Sequence, residues 1–228
     1  MNGPDIGSNL ARVRAVISAA AARSGRTLDE VLVVGVTKTL SLDGCVAAEA
    51  AGLTDLGENY VKELREKAPA LPVVRWHYLG PVQSHTANAV ADHADVVHSL
   101  GSLRAAKRLA RRRTASAAPP LPVLVQVDFT AERNGVLPDE LEGFLAEATA
   151  LEGIEVCGLM TLPPLTDSPE GARPYFRRLR ELRDRVSEVH PGLRELSMGM
   201  SLDYEVAVEE GATMVRVGTT LFGERNKH

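Results

Sequence analysis

Short apolar runs rich in β-branched residues alternate along the chain with longer amphipathic stretches. The runs that have the length and composition of buried strands are Val31–Val36, Thr54–Leu56, Val73–Leu79, Asp95–Ser99, Val123–Val127, Ile154–Met160, Glu195–Met198 and Met214–Val217. The stretches between them that have helical spacing are Leu42–Ala51, Tyr60–Lys67, Thr86–Ala91, Ser102–Arg113, Asp139–Leu151, Ala172–Val189 and Tyr204–Glu209. A further helix over about Leu10–Arg23 precedes the first strand, and Thr114–Pro122 and Pro163–Pro174 are predicted loops.

This alternation predicts right-handed βαβ units and a parallel sheet. Eight such units close a barrel that typically takes about 250 residues, and the chain has 228. We therefore predict an α/β protein: a single (β/α)8 TIM barrel with an extra N-terminal helix, forming one domain over residues 1–228. An open doubly wound sheet is the alternative, and Thr54–Leu56 is the weakest strand in the count.

The composition fits this fold and argues against several classes of protein. Aromatic residues make up only 4%, so the core is expected to consist of Val, Leu, Ala and Ile. A net charge of −4 offers no basic field for nucleic acid or anionic lipid, and the arginines of residues 108–113 fit the solvated end of a helix. The N-terminus has no basic leader, and the apolar run Ala15–Ala22 is too short to span a membrane. The two cysteines fit a reducing compartment, so we expect a cytoplasmic protein.

Chemistry in a β/α barrel is expected just past the C-terminal ends of the strands. Lys38 holds such a position after the first strand. A lysine at the end of a buried strand loses part of its hydration, which favours the neutral amine that forms an imine with a carbonyl group. The alternative is an ordinary lysine that reaches solvent from the strand end.

Two glycine-containing segments follow the last two strands, Gly199-Met200-Ser201 and Gly218-Thr219-Thr220. Barrels often bind phosphate there through backbone N–H groups and a short extra helix, which Thr219–Phe222 could form. Ordinary turns explain either segment alone, but the pair on neighbouring strands favours a phosphate site. A lysine beside a phosphate site suggests pyridoxal 5′-phosphate (PLP), or a sugar phosphate in an aldolase-like reaction.

Arg216 helps to choose between these ligands. It lies two residues before Gly218, so its side chain is expected to point into the barrel mouth. A guanidinium can donate to a pyridine nitrogen but cannot accept from it, and would keep that nitrogen unprotonated. The alternative is a buried pair with a carboxylate such as Glu58. Asn59 could donate to the ring oxygen of PLP, His77 is equally consistent with a core histidine, and the histidines show no metal-ligand spacing.

The segments that carry a family resemblance are, in chain order, VLVVGVTKT, LGENYVKEL, WHYLGPVQS, HSLGSLRAAKRL, GLMTL and LSMGMSLDYEVAVEEGATMVRVGTTLFGER. Through them the chain, from about Asn9 to Arg225, resembles the YggS/PROSC family of PLP homeostasis proteins. The resemblance implies a barrel like the N-terminal domain of bacterial alanine racemase, with PLP bound to Lys38. It also implies roles in cofactor binding that are carried over from the matching motifs: Ser201, Gly218 and Thr219 at the phosphate, Met200 beside them, Arg216 at the pyridine nitrogen and Asn59 in the pocket lining.

Two segments depart from the family's common pattern. Many relatives have Asn-Lys where this chain has His85-Thr86, and the loop Thr130–Gly135 ends in RNG where relatives often have Lys-Ser-Gly. Both segments are candidate entrance or regulatory surfaces, so the exchange of PLP is expected to differ from that in relatives.

Three functions remain open: a PLP-binding carrier, a PLP-dependent racemase, and a Schiff-base lyase that acts on a sugar phosphate. Racemisation requires an acid and a base on opposite faces of the substrate's α-carbon. Alanine racemase takes its opposing tyrosine from a second domain, and none of the four tyrosines here has a clear claim to that role. We therefore predict a non-catalytic protein that buffers or delivers PLP, with apo PLP-dependent enzymes as candidate acceptors. A complete barrel without a spare apolar segment favours a monomer.

Overall fold

Eight parallel strands close into a barrel in the computed structural model, which describes residues 5–224. The strands are β1 (Leu32–Val36), β2 (Asp55–Glu58), β3 (Arg75–Tyr78), β4 (Val96–Leu100), β5 (Leu121–Val127), β6 (Ile154–Thr161), β7 (Glu195–Met200) and β8 (Met214–Val217). Each strand pairs with the next, and β8 pairs with β1. The predicted (β/α)8 barrel is confirmed and the open sheet is wrong. Residues 1–4 and 225–228 lie outside the described part. The predicted domain limits at residues 1 and 228, and the end of the family resemblance at Arg225, therefore also lie outside it.

Helices follow the strands as predicted, and one precedes them. They are α1 (Ile6–Arg23), α2 (Leu42–Ala50), α3 (Val61–Ala70), α4 (Ala87–His93), α5 (Leu103–Ala115), α6 (Leu141–Ala148), α7 (Arg173–Ser187), α8 (Tyr204–Glu209) and α9 (Thr219–Phe222). Serine side chains begin two of them, because Ser41 and Ser102 accept hydrogen bonds from backbone N–H groups in the first turns of α2 and α5. The short helix expected over Thr219–Phe222 is α9.

Several boundaries differ from the predictions. Gly57 and Glu58 belong to β2, where they pair with β3, and do not follow it. Strand β7 likewise continues through Met200. The predicted loops shrink, since β5 begins at Leu121 and α7 begins at Arg173. Glycine and charged residues were interpreted as turns, but pairing within a closed barrel extends the strands through them.

Successive residues of each strand alternate between the helix-facing core and the barrel interior. Leu196 and Met198 pack into the large helix-facing core, whereas Ser197 between them faces inward. Inside the barrel, a small apolar cluster is formed by Val96, Leu124 and Met160. Polar side chains, among them His77, His98 and Arg216, share the interior with this cluster.

Helix α1 fastens the beginning of the barrel to its end. Its apolar stripe, which includes Leu10, Val13 and Ile17, is buried. Asn9 Nδ2 donates to the carbonyl of Leu221 in α9 at 2.8 Å, and Arg23 pairs with Glu205 and Glu209 around α8 at 2.6 Å each. The run Ala15–Ala22 is part of this packed helix. Within residues 5–224, none of the helices has the length and apolar character that crossing a membrane requires.

The cysteines and the arginine-rich stretch behave as expected. Cys45 packs in the helix-facing core and Cys157 packs against the interior cluster, so both act as small apolar residues. Burial raises the pKa of the Cys157 thiol to about 12. On α5, Arg112 pairs with Asp92 at 2.7 Å on the solvent side.

Two histidines, His77 and His98, are fully buried inside the barrel. Burial lowers the pKa of both imidazoles, and that of His98 lies well below its usual range because burial is reinforced by the neighbouring His77 and Arg216. Asp55 opposes the shift at His77 without reversing it. Both rings are therefore neutral in the folded protein at neutral pH.

We expect the free energy of unfolding to fall between pH 6.5 and 5.5. Unfolded histidine binds a proton below about pH 6.5, whereas these two buried rings do not, so the unfolded state takes up more protons there. Each histidine contributes a slope of up to about 1.4 kcal/mol per pH unit. Urea unfolding across this range should give a shallower slope for His98→Gln than for the wild type or for the exposed-residue variant His85→Gln. Equal slopes for all three proteins would contradict the prediction.

Candidate functional site

The candidate residues follow four consecutive strands of the barrel, β7, β8, β1 and β2. Closure of the barrel pairs Gly35 with Val217, so the segments that contain Lys38 and Gly218 leave neighbouring strands at the same end. Asn59, which is half-buried, directly follows β2 on the other side of β1. The structure therefore brings together at one mouth the segments that the sequence singled out.

Lys38 lies in a turn two residues beyond β1 and is exposed. The expectation that it is partly desolvated is wrong, because the strand ends at Val36 and only Thr37 remains inside. The turn is closely defined, however. Thr39 has a positive φ of 64°, which is uncommon for a residue with a branched side chain, and its N–H donates to Glu63 Oε2 at 2.8 Å.

A buried ammonium group holds this turn from the helix side. Lys67 Nζ donates to the carbonyl of Thr37 at 3.1 Å, to Glu58 Oε1 at 2.7 Å and to Glu63 Oε2 at 2.6 Å. Thr37 Oγ1 donates to the same Glu58 oxygen at 2.6 Å. The residue that precedes Lys38 is thus fixed at both its backbone and its side chain.

The charges of this cluster do not balance, because two carboxylates share one ammonium. Burial alone would lower the pKa of Lys67, but its hydrogen bonds to Glu58 and Glu63 together with the nearby negative charge raise it. Burial raises the pKa of Glu58 even though Lys67 and Thr37 donate to it. Its second oxygen, Oε2, is buried without a hydrogen-bond partner in the structure. Sequence reasoning missed Lys67, although its spacing of four from Glu63 on a helix was a usable signal.

Arg216 is buried in the barrel interior and does not pair with Glu58. Its guanidinium donates to Ser197 Oγ at 2.5 Å and to the carbonyl of Thr161 at 3.0 Å. The pair with Glu58 is wrong because the two side chains lie on opposite faces of the sheet: Glu58 faces α3 and Arg216 faces inward. Burial lowers the pKa of Arg216 to about 10, against the opposing influence of Asp203, so the group is a cation at neutral pH.

Ser201 and the start of α9 meet at the mouth. Ser201 Oγ accepts hydrogen bonds from the N–H groups of Gly218 at 3.2 Å and Thr220 at 3.4 Å. Thr219 is exposed beside them. Two backbone N–H groups therefore converge on one hydroxyl oxygen, and an anion bound here would take over these donors from Ser201.

Gly199 makes the geometry of this corner possible. Between Ser197 and Met200 the register of β7 slips by one residue against β8, and Gly199 has a positive φ of 91° at the slip. The following Met200 pairs with Arg216, is partly exposed at 39%, and donates its N–H to Asp203 Oδ1 at 2.6 Å. The bulge thus aims Ser201 at the start of α9.

The two segments that depart from the family pattern lie close together. Gln83, whose carbonyl accepts from Thr86 Oγ1 at 3.1 Å, lines a cavity of about 290 Å³ together with Arg133 of the loop Thr130–Gly135. Asp128 holds that loop by accepting from the N–H groups of Thr130 at 3.0 Å and Arg133 at 2.6 Å. A role in cofactor entrance stays a prediction.

Within the described part of the chain, metal ligands do not form a comparable site. Among residues 5–224, no three or more His, Cys, Asp or Glu side chains are grouped so that they could hold a metal ion.

Comparison with known proteins gives a consistent family assignment. The sequence profile of the family "Alanine racemase, N-terminal domain" matches residues 9–226. A pyridoxal phosphate homeostasis protein of Pseudomonas aeruginosa is 40% identical over 225 residues, covering 97% of this chain and 96% of its own. The protein of the same name from Escherichia coli K12 is 37% identical over 235 residues, covering 97% of each chain.

Solved structures agree with the sequence comparison. PipY of Synechococcus elongatus, solved with PLP bound, superposes with a TM-score of 0.85 and 32% identity, covering 96% of this chain and all of its own. Alanine racemase of Clostridium difficile superposes with a TM-score of 0.70 at 18% identity and shares the barrel fold, covering 87% of this chain and 56% of its own.

We expect Gly199→Ala to destabilise the protein by more than about 2 kcal/mol. A Cβ there would lie 2.5 Å from Ala207 Cβ and 2.9 Å from Tyr204 Cα, on a backbone with positive φ. Gly52→Ala is the matched control, because Gly52 has a φ of 90° with no atom within 4 Å of the added Cβ. It should lose only about 1–2 kcal/mol through strain. Equal losses in urea unfolding would show that packing at the bulge is unimportant.

Lys67→Met should destabilise the protein by about 3–5 kcal/mol, because it leaves Glu58 buried without its cation. The control is Lys107→Met, which removes an exposed partner of Glu147 at 3.0 Å and should cost no more than about 1 kcal/mol. Urea unfolding at pH 7.5 measures both. If the two variants lost similar stability, the buried cluster would not anchor the Lys38 turn.

Proposed function

The chain belongs to the alanine racemase N-terminal domain family, and we propose that it binds PLP covalently through Lys38 and acts in PLP homeostasis. The observation that carries the proposal is the meeting of an amine, a set of anion donors and a buried guanidinium at the ends of β1, β7 and β8. Relatives similar over nearly their whole length are named for PLP homeostasis, and PipY has been solved with PLP bound.

The donor set fits the chemistry of this cofactor. PLP presents an aldehyde, a phosphate and a pyridine nitrogen, and when bound it supplies an electrophilic carbon and an electron-withdrawing ring. Lys38 is an exposed primary amine at the mouth. Gly218, Thr219 and Ser201 offer N–H and hydroxyl donors for the phosphate, with Met200 beside them.

Arg216 and Asn59 would act on the ring. Arg216 is a cation at neutral pH and can only donate, so a ring nitrogen facing it would stay unprotonated and withdraw electrons weakly. Half-buried Asn59 would line the pocket after β2. A weakly withdrawing ring suits a protein that holds the cofactor more than one that uses it to stabilise carbanions.

The tyrosines support a role without turnover. Tyr78 and Tyr204 are buried in the helix-facing core, where burial raises the pKa of Tyr78 to about 12 and also raises that of Tyr204. Tyr175 lies against Phe129, with ring centroids 6.2 Å apart. Tyr60 is 55% exposed at the start of α3. These surroundings do not provide the acid that a racemase requires opposite its lysine.

The wider proposal concerns delivery and assembly. We propose that residues 1–228 act as one domain, as a monomer in the cytoplasm, and that apo PLP-dependent enzymes receive the cofactor from it. A lysine in an exposed turn suits such transfer, because another protein can approach it. Light scattering after gel filtration would measure the mass, and two equal copies in one particle would overturn the monomer.

The first test is the visible absorbance spectrum of the purified protein with added PLP, before and after borohydride. A visible band that borohydride abolishes, with a phosphopyridoxyl group mapped to Lys38, is the expected result. Lys38→Ala should lose the band and keep the fold, because the exposed turn contributes little to the core, whereas Lys62→Ala, which removes an exposed lysine of α3, should keep the band.

Three other outcomes would contradict parts of this proposal. A wild type without any band would overturn PLP binding and direct attention to sugar phosphates. A band together with racemisation of added amino acids would establish an enzyme. An unfolded Lys38→Ala protein by circular dichroism would contradict the view that the turn lies outside the core.

A further inference from the structure

A continuous row of hydrogen bonds crosses the barrel interior from Arg216 to Asp55. Arg216 donates to Ser197 Oγ at 2.5 Å, and Ser197 Oγ lies 2.7 Å from His98 Nδ1. His98 Nε2 lies 2.8 Å from His77 Nδ1, and His77 Nε2 lies 2.9 Å from Asp55 Oδ1. We call these five residues the interior polar row.

The row runs between the two ends of the barrel. Arg216 is the third of the four residues of β8, near the mouth, and Asp55 is the first residue of β2. Asp55 also lines a cavity of about 330 Å³ with Asp29 and Arg14, among residues that precede or begin strands. All five members are buried, and the three in the middle, Ser197, His98 and His77, have no exposed surface.

The direction of every link follows from its two ends. A guanidinium can only donate, and an ionised carboxylate can only accept. Asp55 is that carboxylate: burial alone would raise its pKa, but the hydrogen bonds from His77 and Thr54 and the charges around it together lower it. Ser197 therefore donates to His98 Nδ1, His98 donates from Nε2 to His77, and His77 donates from Nε2 to Asp55. Both neutral rings carry their proton on Nε2.

We propose that the interior polar row positions Arg216 toward the ring nitrogen of the bound cofactor and makes that position depend on Asp55 at the opposite end of the barrel. The inference rests on the proposed function, since it concerns how the site holds PLP. Ser197, His98 and His77 each have one mobile proton and give it in the same direction, so reversing the link between any two of them would require reversing the others. Arg216 uses two of its five N–H groups for Ser197 and Thr161, which leaves others for the mouth.

Ser197 and the two histidines are positioning residues in this scheme and have no contact with the reacting atoms. Ser197→Ala removes one heavy atom, Oγ, and with it the hydrogen bond that Arg216 donates to Ser197. Asp55→Asn removes the charge at the opposite end of the row. It is expected to weaken the hydrogen bond between Arg216 and Ser197 through the two histidines, without any substitution near the mouth. A row that acted only as packing would transmit no effect over this distance.

The first readout needs no cofactor. Long-range proton–nitrogen spectra of ¹⁵N-histidine-labelled protein at pH 7.5 should show His77 and His98 as Nε2–H tautomers, with signals assigned through His77→Gln and His98→Gln. A proton on Nδ1 of either ring, or on both nitrogens of either ring, would overturn the direction of the row.

The second readout is PLP binding to Ser197→Ala, Asp55→Asn and the control Asp95→Asn. Asp95 lies just before β4 and accepts a hydrogen bond from the backbone N–H of Trp76 at 2.7 Å, but it is outside the row. We expect about tenfold weaker binding or more for Ser197→Ala, a smaller loss with a shifted visible band for Asp55→Asn, and wild-type behaviour for Asp95→Asn.

The outcomes separate this inference from the proposed function. If the wild type binds PLP and all three variants match it in affinity and spectrum, the inference is overturned and the proposed function stands. If Asp55→Asn changes only as much as Asp95→Asn, coupling across the barrel is overturned. If the wild type binds no PLP, the proposed function fails together with the role toward the cofactor, while the tautomers still report whether the row exists.

Discussion

The pairing of β8 with β1 is the constraint on which the rest of the structure depends. It turns a sheet into a barrel, and it places the last strand of the chain beside the first. Lys38 leaves β1 and Gly218 leaves β8, so the amine and the anion donors come from segments separated by most of the sequence. Without this closure the two would lie at opposite edges of an open sheet, and the site would not form.

Side chains alternate between the two faces of the barrel sheet, and this creates two separate clusters of polar residues, one on each face. On the helix side, Glu58 and Lys67 hold the turn that carries Lys38. On the inner side, Arg216 is held by Ser197 and by the histidines beyond it. Each cluster orients one functional group: the first holds the turn of the amine and the second holds the guanidinium.

The sequence predicted the barrel well because apolar, β-branched runs report buried strands directly, as at Val31–Val36 and Met214–Val217. The predicted strand ends were too early at Gly57-Glu58 and at Met200, because these residues belong to strands only through their pairing with a neighbouring strand. It paired Arg216 with Glu58 as an alternative, since the face each side chain takes depends on register. The exposure of Lys38 and the role of Lys67 were missed for the same reason: both depend on contacts between distant elements. The segments that carry the candidate residues leave neighbouring strands at one mouth, and the roles of these residues toward PLP stay predictions.

The attachment of α1 to the end of the barrel has a consequence for biosynthesis. Helix α1 is synthesised before all eight strands, yet its partners are α8 and α9, which are synthesised after β7 and β8. Strand β1 likewise pairs with β8, which is synthesised last of the eight strands. A nascent chain therefore keeps its first helix and strand incompletely paired until synthesis has passed residue 222. The corner that Ser201 forms with α9 is completed in that same step, so a product truncated before α9 lacks it.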